Sequence, residues 1–223
     1  MLFNHDHRIA FIHIPRTGGT SIKFGWKEGS NLKFKTYGHK HYTWNQQVEL
    51  NNIPKDLTNW FIFAIHRDPY ERAVSQYYHT ISIMKRKLVP ESAHADRLIN
   101  KGGNEKLYKE KLKELQRGGL ENYLKNYNDN TKKSQAEFIR GVPENLLQLW
   151  PFKKMFRVGY FLKTHRPQLE YLPWHTNQSG DRNIKKIHTK NTISYINDFY
   201  AEDFTRFGYK KITNVEDFRK IEL

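Results

Sequence analysis

The chain is predicted to fold as an α/β protein, a three-layer sandwich with a central parallel sheet and a helical insertion. Two observations predict it. Buried apolar runs recur at Arg8–Ile14 and Trp60–Ile65, each short and bounded by turn-forming residues. Each run leads through a loop into a pattern that starts a helix, and strand-loop-helix repeated in this order gives a parallel sheet.

The elements follow in chain order. Arg8–Ile14 reads as a strand and Thr20–Lys27 as the start of a helix. "LKFKTYG" (32–38) reads as a second strand ended by Gly38. Thr43 and Gln46 stand at capping-box spacing and open a helix in "TWNQQVEL". After the strand "WFIFAI" (60–65), Asp68 as N-cap, Pro69 at the first helical position and Glu71 three residues past the cap begin another helix. Residues 84–133 are lysine-rich and helical in pattern, interrupted at Gly102–Gly103 and Gly118–Gly119. They read as a surface insertion within a single domain spanning 1–223, and such a charge run is as readily a solvated face without a function. Beyond it, "FRVGYFL" (156–162) is predicted as a strand, 175–183 as a polar loop and 193–209 as an amphipathic helix.

Composition narrows the class. The 223 residues suffice for one domain with a real core. Thirty-eight Lys+Arg against 23 Asp+Glu leave a formal charge of +15, which calls for an anionic partner: nucleic acid, an acidic polymer or a highly phosphorylated cofactor. The absence of cysteine excludes disulfides and thiolate metal sites. "MLFNHDHRIAFIHIP" lacks the character of a signal peptide, and no run approaches the roughly 18 apolar residues of a membrane span, so a soluble intracellular protein is expected.

Three stretches just beyond predicted strands could carry chemistry, and in open parallel sheets that edge is where ligands bind. In "FIHIPRTGGTSI" (11–22), Gly18 and Gly19 let backbone N–H groups converge before a helix N-terminus. Thr17, Thr20 and Ser21 add hydroxyls and Arg16 a permanent charge, which together suit a phosphate-like anion. The pattern G-x-x-x-x-G-K-[ST] is absent, which argues against a Mg-nucleotide site. In "IHRDPYERAVS", a kinase catalytic loop would need asparagine where Ala73 stands; Arg67 and Ser75 remain as donors to a second anion, or Arg67 pairs locally with Asp68 or Glu71. In "GHKHYT", His39 and His41 alternate and could face one side. Either could serve as a general base, the two could begin a metal site that lacks a third ligand nearby, or they could be surface histidines.

Together these stretches resemble the carbohydrate sulfotransferases that use 3′-phosphoadenosine-5′-phosphosulfate (PAPS), closest to the heparan sulfate and uronyl 2-O-sulfotransferases and their bacterial relatives. "FIHIPRTGGTSI" is similar to the family's 5′-phosphosulfate loop, with Arg16 where lysine is usual. "FAIHRDPYERAVSQYY" resembles its 3′-phosphate motif and "GHKHYT" its histidine segment. "QAEFIRG", "LPWHTNQS" and "FYAEDFTRFGY" resemble later family segments, while "FRVGYFLK" lacks the acidic residue expected near it.

The resemblance implies a P-loop-NTPase-like sulfotransferase fold. It implies PAPS as co-substrate, PAP (3′,5′-ADP) as product and no required metal, since a sulfonate carries less charge than a phosphoryl group. Cofactor binding then falls to Arg16, Thr17, Gly18, Gly19, Thr20, Ser21, Arg67 and Ser75. Catalysis falls to His41 as base, His39 as accessory and Arg16 at the leaving oxygen. A small-molecule or oligosaccharide hydroxyl is the implied acceptor. A cytoplasmic protein of bacterial or viral source is the implied setting, with no nucleic acid partner. The competing readings are a basic nucleic-acid-binding protein and a nucleotide-dependent kinase.

Overall fold

Four strands make one sheet in the order β1 (Leu2–Asn4), β2 (Ile9–Ile12), β3 (Phe61–His66) and β4 (Leu147–Pro151). β2, β3 and β4 run parallel, with Ala10 opposite Ile62 and Ile62 opposite Leu147. β1 is antiparallel to β2, pairing Phe3 with Ala10, so the sheet is mostly rather than wholly parallel. The computed structural model describes residues 1–23, 34–88, 105–127, 133–165 and 184–220.

Two compact units divide the chain. The first comprises Met1–Asp68, Asn130–Arg182 and Glu202–Tyr209; the second comprises Pro69–Asp129, Asn183–Ala201 and Lys210–Leu223. The first unit holds the sheet. Side chains alternate along its strands, so the two faces carry different cores. One face packs Phe3, Ala10, Ile12, Ile62 and Ala64 with Trp44 of helix α2 (Trp44–Glu49) and Phe138 and Ile139 of α5 (Gln135–Ile139). The other packs Leu2, Ile9, Phe11, Phe63 and Ile65 with Ile22 of α1, described over 19–23, and with Val158 and Leu162 of α6 (Arg157–His165). Helices thus cover both sheet faces.

α2 begins as its sequence predicts. Gln46 N–H donates to Thr43 Oγ1 (3.2 Å) while Thr43 N–H donates to Gln46 Oε1 (2.9 Å), satisfying two N-terminal donors reciprocally.

Three expectations need correction. Residues 156–162 are helical, not a strand: Met155, Val158 and Leu162 are buried at spacings of three and four, the period of a helix face. The strand that completes the parallel ladder is Leu147–Pro151 instead. Of 32–38, residues 34–38 are described, and there Lys35 alone bridges Phe3; the Tyr37 carbonyl accepts from Gln47 Nε2 (3.1 Å) and Gly38 turns the chain at φ 62°, so no ladder forms among the described residues. Residues 193–209 form two helices, α8 (Lys190–Phe199) and α9 (Ala201–Phe207), because Tyr200 leaves helical geometry at φ −106°, ψ 27°.

The second unit is helical. α3 (Pro69–Lys87) starts at its proline, as expected, and α4 (Glu105–Asn126) lies within the predicted insertion. α4 departs from helical geometry at Gly119 (φ 62°, ψ −155°), and beyond that point Leu120, Tyr123 and Leu124 are buried. Tyr70 anchors the unit: its hydroxyl donates to Asn197 and accepts from Ile212 N–H (2.8 Å). α7 (Ile184–Ile187) and α10 (Val215–Lys220) complete it. The glycine pair 102–103 and the loop expected at 175–183 lie outside the described residues.

Candidate active site

The chain leaves β2 through a turn whose shape is enforced by backbone and packing. Arg16 stands at φ 67° and Gly18 at φ 85°, both left-handed. For a residue with a Cβ such as Arg16 that conformation costs about 1 kcal/mol or more. A Cβ on Gly18 would fall 2.5 Å from Met155 Sδ and 2.9 Å from the Phe152 ring. On Gly19 it would fall 2.0 Å from the His13 ring. Both glycines are therefore required by neighbours in direct contact. Thr17 Oγ1–H donates to the Ile14 carbonyl (2.9 Å) and is fully buried, so its hydroxyl proton closes the turn. Ile22 N–H donates to Gly18 O (3.3 Å), starting α1 at the loop's end.

The histidine segment lies against this turn. The His13 and His41 rings are 4.4 Å apart, and those of His39 and His41 5.3 Å. His41 Nδ1 lies 2.9 Å from the His13 carbonyl. A carbonyl can only accept, so the Nδ1 carries the proton and Nε2 keeps its lone pair. Burial pulls the His41 pKa down to about 4; the carbonyl bond opposes this, and Lys40 and His39 reinforce it. His13 is 5% exposed, and burial, with His41 and Lys40 beside it, holds its pKa well below the usual range. His39 Nδ1 accepts from His41 N–H (3.3 Å).

Cations gather here. Burial lowers the Lys40 ammonium, and Lys23 and Arg16 lower it further by repulsion. Arg16, Lys23, Lys40, His39 and His41 thus share one electropositive environment at the end of β2, the charge pattern that draws an anion.

At the end of β3, Arg67 is half-buried with its guanidinium Cζ 4.5 Å from the centroid of Phe152. Phe152 is the ring that also abuts Gly18. One aromatic side chain therefore touches both the first loop and Arg67. The Gln135 carboxamide holds the Arg67 peptide from both sides: Arg67 N–H donates to Oε1 (2.8 Å) and Nε2 donates to Arg67 O (2.7 Å). Ser75 is buried on α3, in the second unit. The first unit therefore assembles Arg16–Ser21, His39, His41 and Arg67, with Thr20 half-buried and Ser21 buried.

Several residues of this site escape a reading of the sequence. His13 is one more strand residue in "FIHIP", and only alternation with Phe11 hints at its placement. Lys40 sits within the histidine motif, but its charge draws no notice in so basic a chain. Phe152 and Gln135 lie 85 and 68 positions from Arg67, and no local pattern links them.

The donor set fits a ligand with separated anionic groups: a glycine turn with cations at one strand end and a stacked arginine at the next. Among the described residues, no group of three or more His, Asp or Glu is arranged to hold a metal ion, and no helix is long and apolar enough to cross a membrane. These features define an α/β protein with a cationic site at the C-terminal edge of its parallel strands. The model of the sulfotransferase family matches residues 1–140 of the 223, and the chain belongs to that family. No curated protein and no solved structure gives a significant match.

Proposed function

We propose that this sulfotransferase-family chain moves a sulfonate group from PAPS to an acceptor hydroxyl, that of a carbohydrate, with His41 as general base. The observation that carries this reading is His41 itself: a neutral imidazole, tautomer fixed by the His13 carbonyl, beside a cluster of cations. PAPS supplies an activated sulfonate on a phosphate leaving group.

The chain's own residues do the rest. The turn 15–19 and Arg16 bind the 5′ end, and Arg67 binds the 3′-phosphate. His41 Nε2 accepts the acceptor's hydroxyl proton as its oxygen attacks sulfur; the bond from sulfur to the phosphate oxygen breaks in line, and PAP departs. Arg16 and the loop N–H groups stabilise the charge that grows on the departing oxygen. Arginine cannot readily donate a proton there, so its contribution is electrostatic.

A base with a pKa of about 4 is weak at neutral pH. An anion held among Arg16, Lys23 and Lys40 offsets the positive field on His41 and raises its pKa. The acid limb of kcat, which reports the complex, is therefore expected at higher pH than that of kcat/KM, which reports the free enzyme.

Thermal-shift titration with 3′,5′-ADP, ATP with Mg²⁺ and an oligonucleotide tests the class. Stabilisation by 3′,5′-ADP is expected. Response only to ATP or to the oligonucleotide overturns the proposal and favours a kinase or a nucleic-acid binder. His41→Ala is expected to keep 3′,5′-ADP binding while transfer falls about 10²–10⁴-fold. Full transfer activity in that variant removes His41 as the base.

A further inference from the structure

We infer that Gln135 and Asp203 form a positioning device for Arg67, and so set how strongly the site discriminates ligands by their 3′-phosphate; this rests on the reading of Arg67 given above. The ladder between β3 and β4 ends at His66 opposite Pro151, a residue with no N–H to offer. One residue further on, Arg67 has left the sheet, and the side chain of Gln135 supplies both a donor and an acceptor to its backbone at 2.7 and 2.8 Å. A carboxamide can do this because it carries both functions in one plane. The bonds also fix which way it points, since the N–H of Arg67 requires the oxygen and its carbonyl the nitrogen.

Gln135 is held in its turn. Its Nε2 also donates to Asp203 Oδ2 (3.2 Å), while Asp203 Oδ1 accepts from Ala136 N–H (2.9 Å). Both side chains are 0% exposed. A carboxylate and a carboxamide buried completely and engaged at both ends cannot swing without leaving polar atoms unpaired. Further out, Arg140 pairs with Glu202 (2.5 Å) and Arg206 with Glu144 (2.5 Å), tying the segment that carries Asp203 to the chain around α5. The peptide of Arg67 is thus fixed from the C-terminal part of the first unit, and its guanidinium is steered separately by the Phe152 ring. Arg67 is the group that touches ligand; Gln135 and Asp203 act through it.

The test compares 3′,5′-ADP with 5′-AMP, which lacks only the 3′-phosphate, by calorimetry on the full chain. Wild type is expected to prefer 3′,5′-ADP, and Arg67→Ala to abolish most of that preference. Gln135→Ala and Gln135→Met are expected to reduce the preference at least about tenfold while 5′-AMP affinity stays within about twofold. Asp203→Asn, which leaves one oxygen for the two donors Gln135 Nε2 and Ala136 N–H, is expected to act in the same direction. A residue serving stability alone would lower the melting temperature and leave the ratio unchanged. If Arg67→Ala collapses the ratio and soluble, folded Gln135→Met and Asp203→Asn do not, the positioning role is overturned while the reading of Arg67 stands. If wild type shows no preference, or Arg67→Ala leaves it intact, the reading of Arg67 itself fails and takes this inference with it.

Discussion

The ends of β2 and β3 solve one problem in two ways. Both must present cationic groups beyond a buried parallel strand without letting the chain collapse onto its neighbours. After β2 the solution is local: left-handed backbone at Arg16 and Gly18, a glycine pressed against His13, and a hydroxyl closing the turn three residues back. After β3 it is distant: Gln135 grips the Arg67 peptide, and Asp203 grips Gln135. A local solution is written in consecutive residues. A distant one is written in residues that only the fold brings together.

The largest expected effect breaks the local solution. In Gly19→Ala the new methyl would lie 2.0 Å from the His13 ring, which is buried and cannot step aside cheaply. Overpacking of this kind costs about 1–3 kcal/mol, sometimes more. Urea unfolding should show the loss, and 3′,5′-ADP binding should fall with it because the turn moves. Adding His13→Ala to Gly19→Ala should recover part of the lost stability, since the clashing ring is gone. A double variant no better than Gly19→Ala would mean that the loop is shaped by something other than this contact.

That contrast also explains what was legible in the sequence. The first loop, the capping box of α2 and the proline start of α3 are local grammar, and each appears where the residues predict it. β1 and β4 were not legible. β1 is three residues long, and β4 pairs with β3 at a separation of more than 80 residues. The apolar stretch 156–162 reads as a strand because aromatic and aliphatic residues crowd it, yet Val158 and Leu162 share one buried face only as a helix. Within the site, Arg16, His39, His41 and Arg67 stand in motifs, whereas the His13 carbonyl that fixes the tautomer of His41 has no sequence signature, because any residue supplies a carbonyl.

Acid should separate the two strand ends next. His41 near β2 and His66 at the end of β3 both have pKa values lowered by burial to about 4, and His188 in the second unit is lowered likewise. Unfolded, each titrates near 6.5, so the unfolded chain takes up protons first as pH falls. Stability should therefore be highest above about pH 6.5 and decline from there toward pH 4. Each histidine contributes a slope of at most about 1.4 kcal/mol per pH unit. His66→Gln should flatten that slope by up to one proton whether or not ligand is bound, because among the described residues the His66 ring bonds to Tyr209 (2.8 Å) and stacks on Phe207, away from the cation cluster. His41→Gln should flatten it in the free protein and much less with 3′,5′-ADP bound, where the anion already favours the protonated imidazole. Equal flattening with and without ligand would place His41 outside the field of the bound anion.

The smallest effect sharpens the local solution further. Thr17 donates its hydroxyl proton to Ile14 O and so cannot also donate it to a ligand oxygen. Thr17→Val keeps the shape but strands the buried carbonyl, a cost of about 1 kcal/mol, whereas Thr17→Ser keeps the bond. The expected outcome is a modest loss of stability in the valine variant alone, with 3′,5′-ADP affinity nearly unchanged in both, because the hydroxyl is already committed to Ile14. The opposite pattern, unchanged stability with affinity lost more than tenfold in Thr17→Val, would mean that the hydroxyl turns from Ile14 to the ligand on binding. The first loop would then be a switch between two hydrogen-bonded states rather than a preformed turn. The affinity ratio of the serine and valine variants, measured against their stability difference, decides between these two loops.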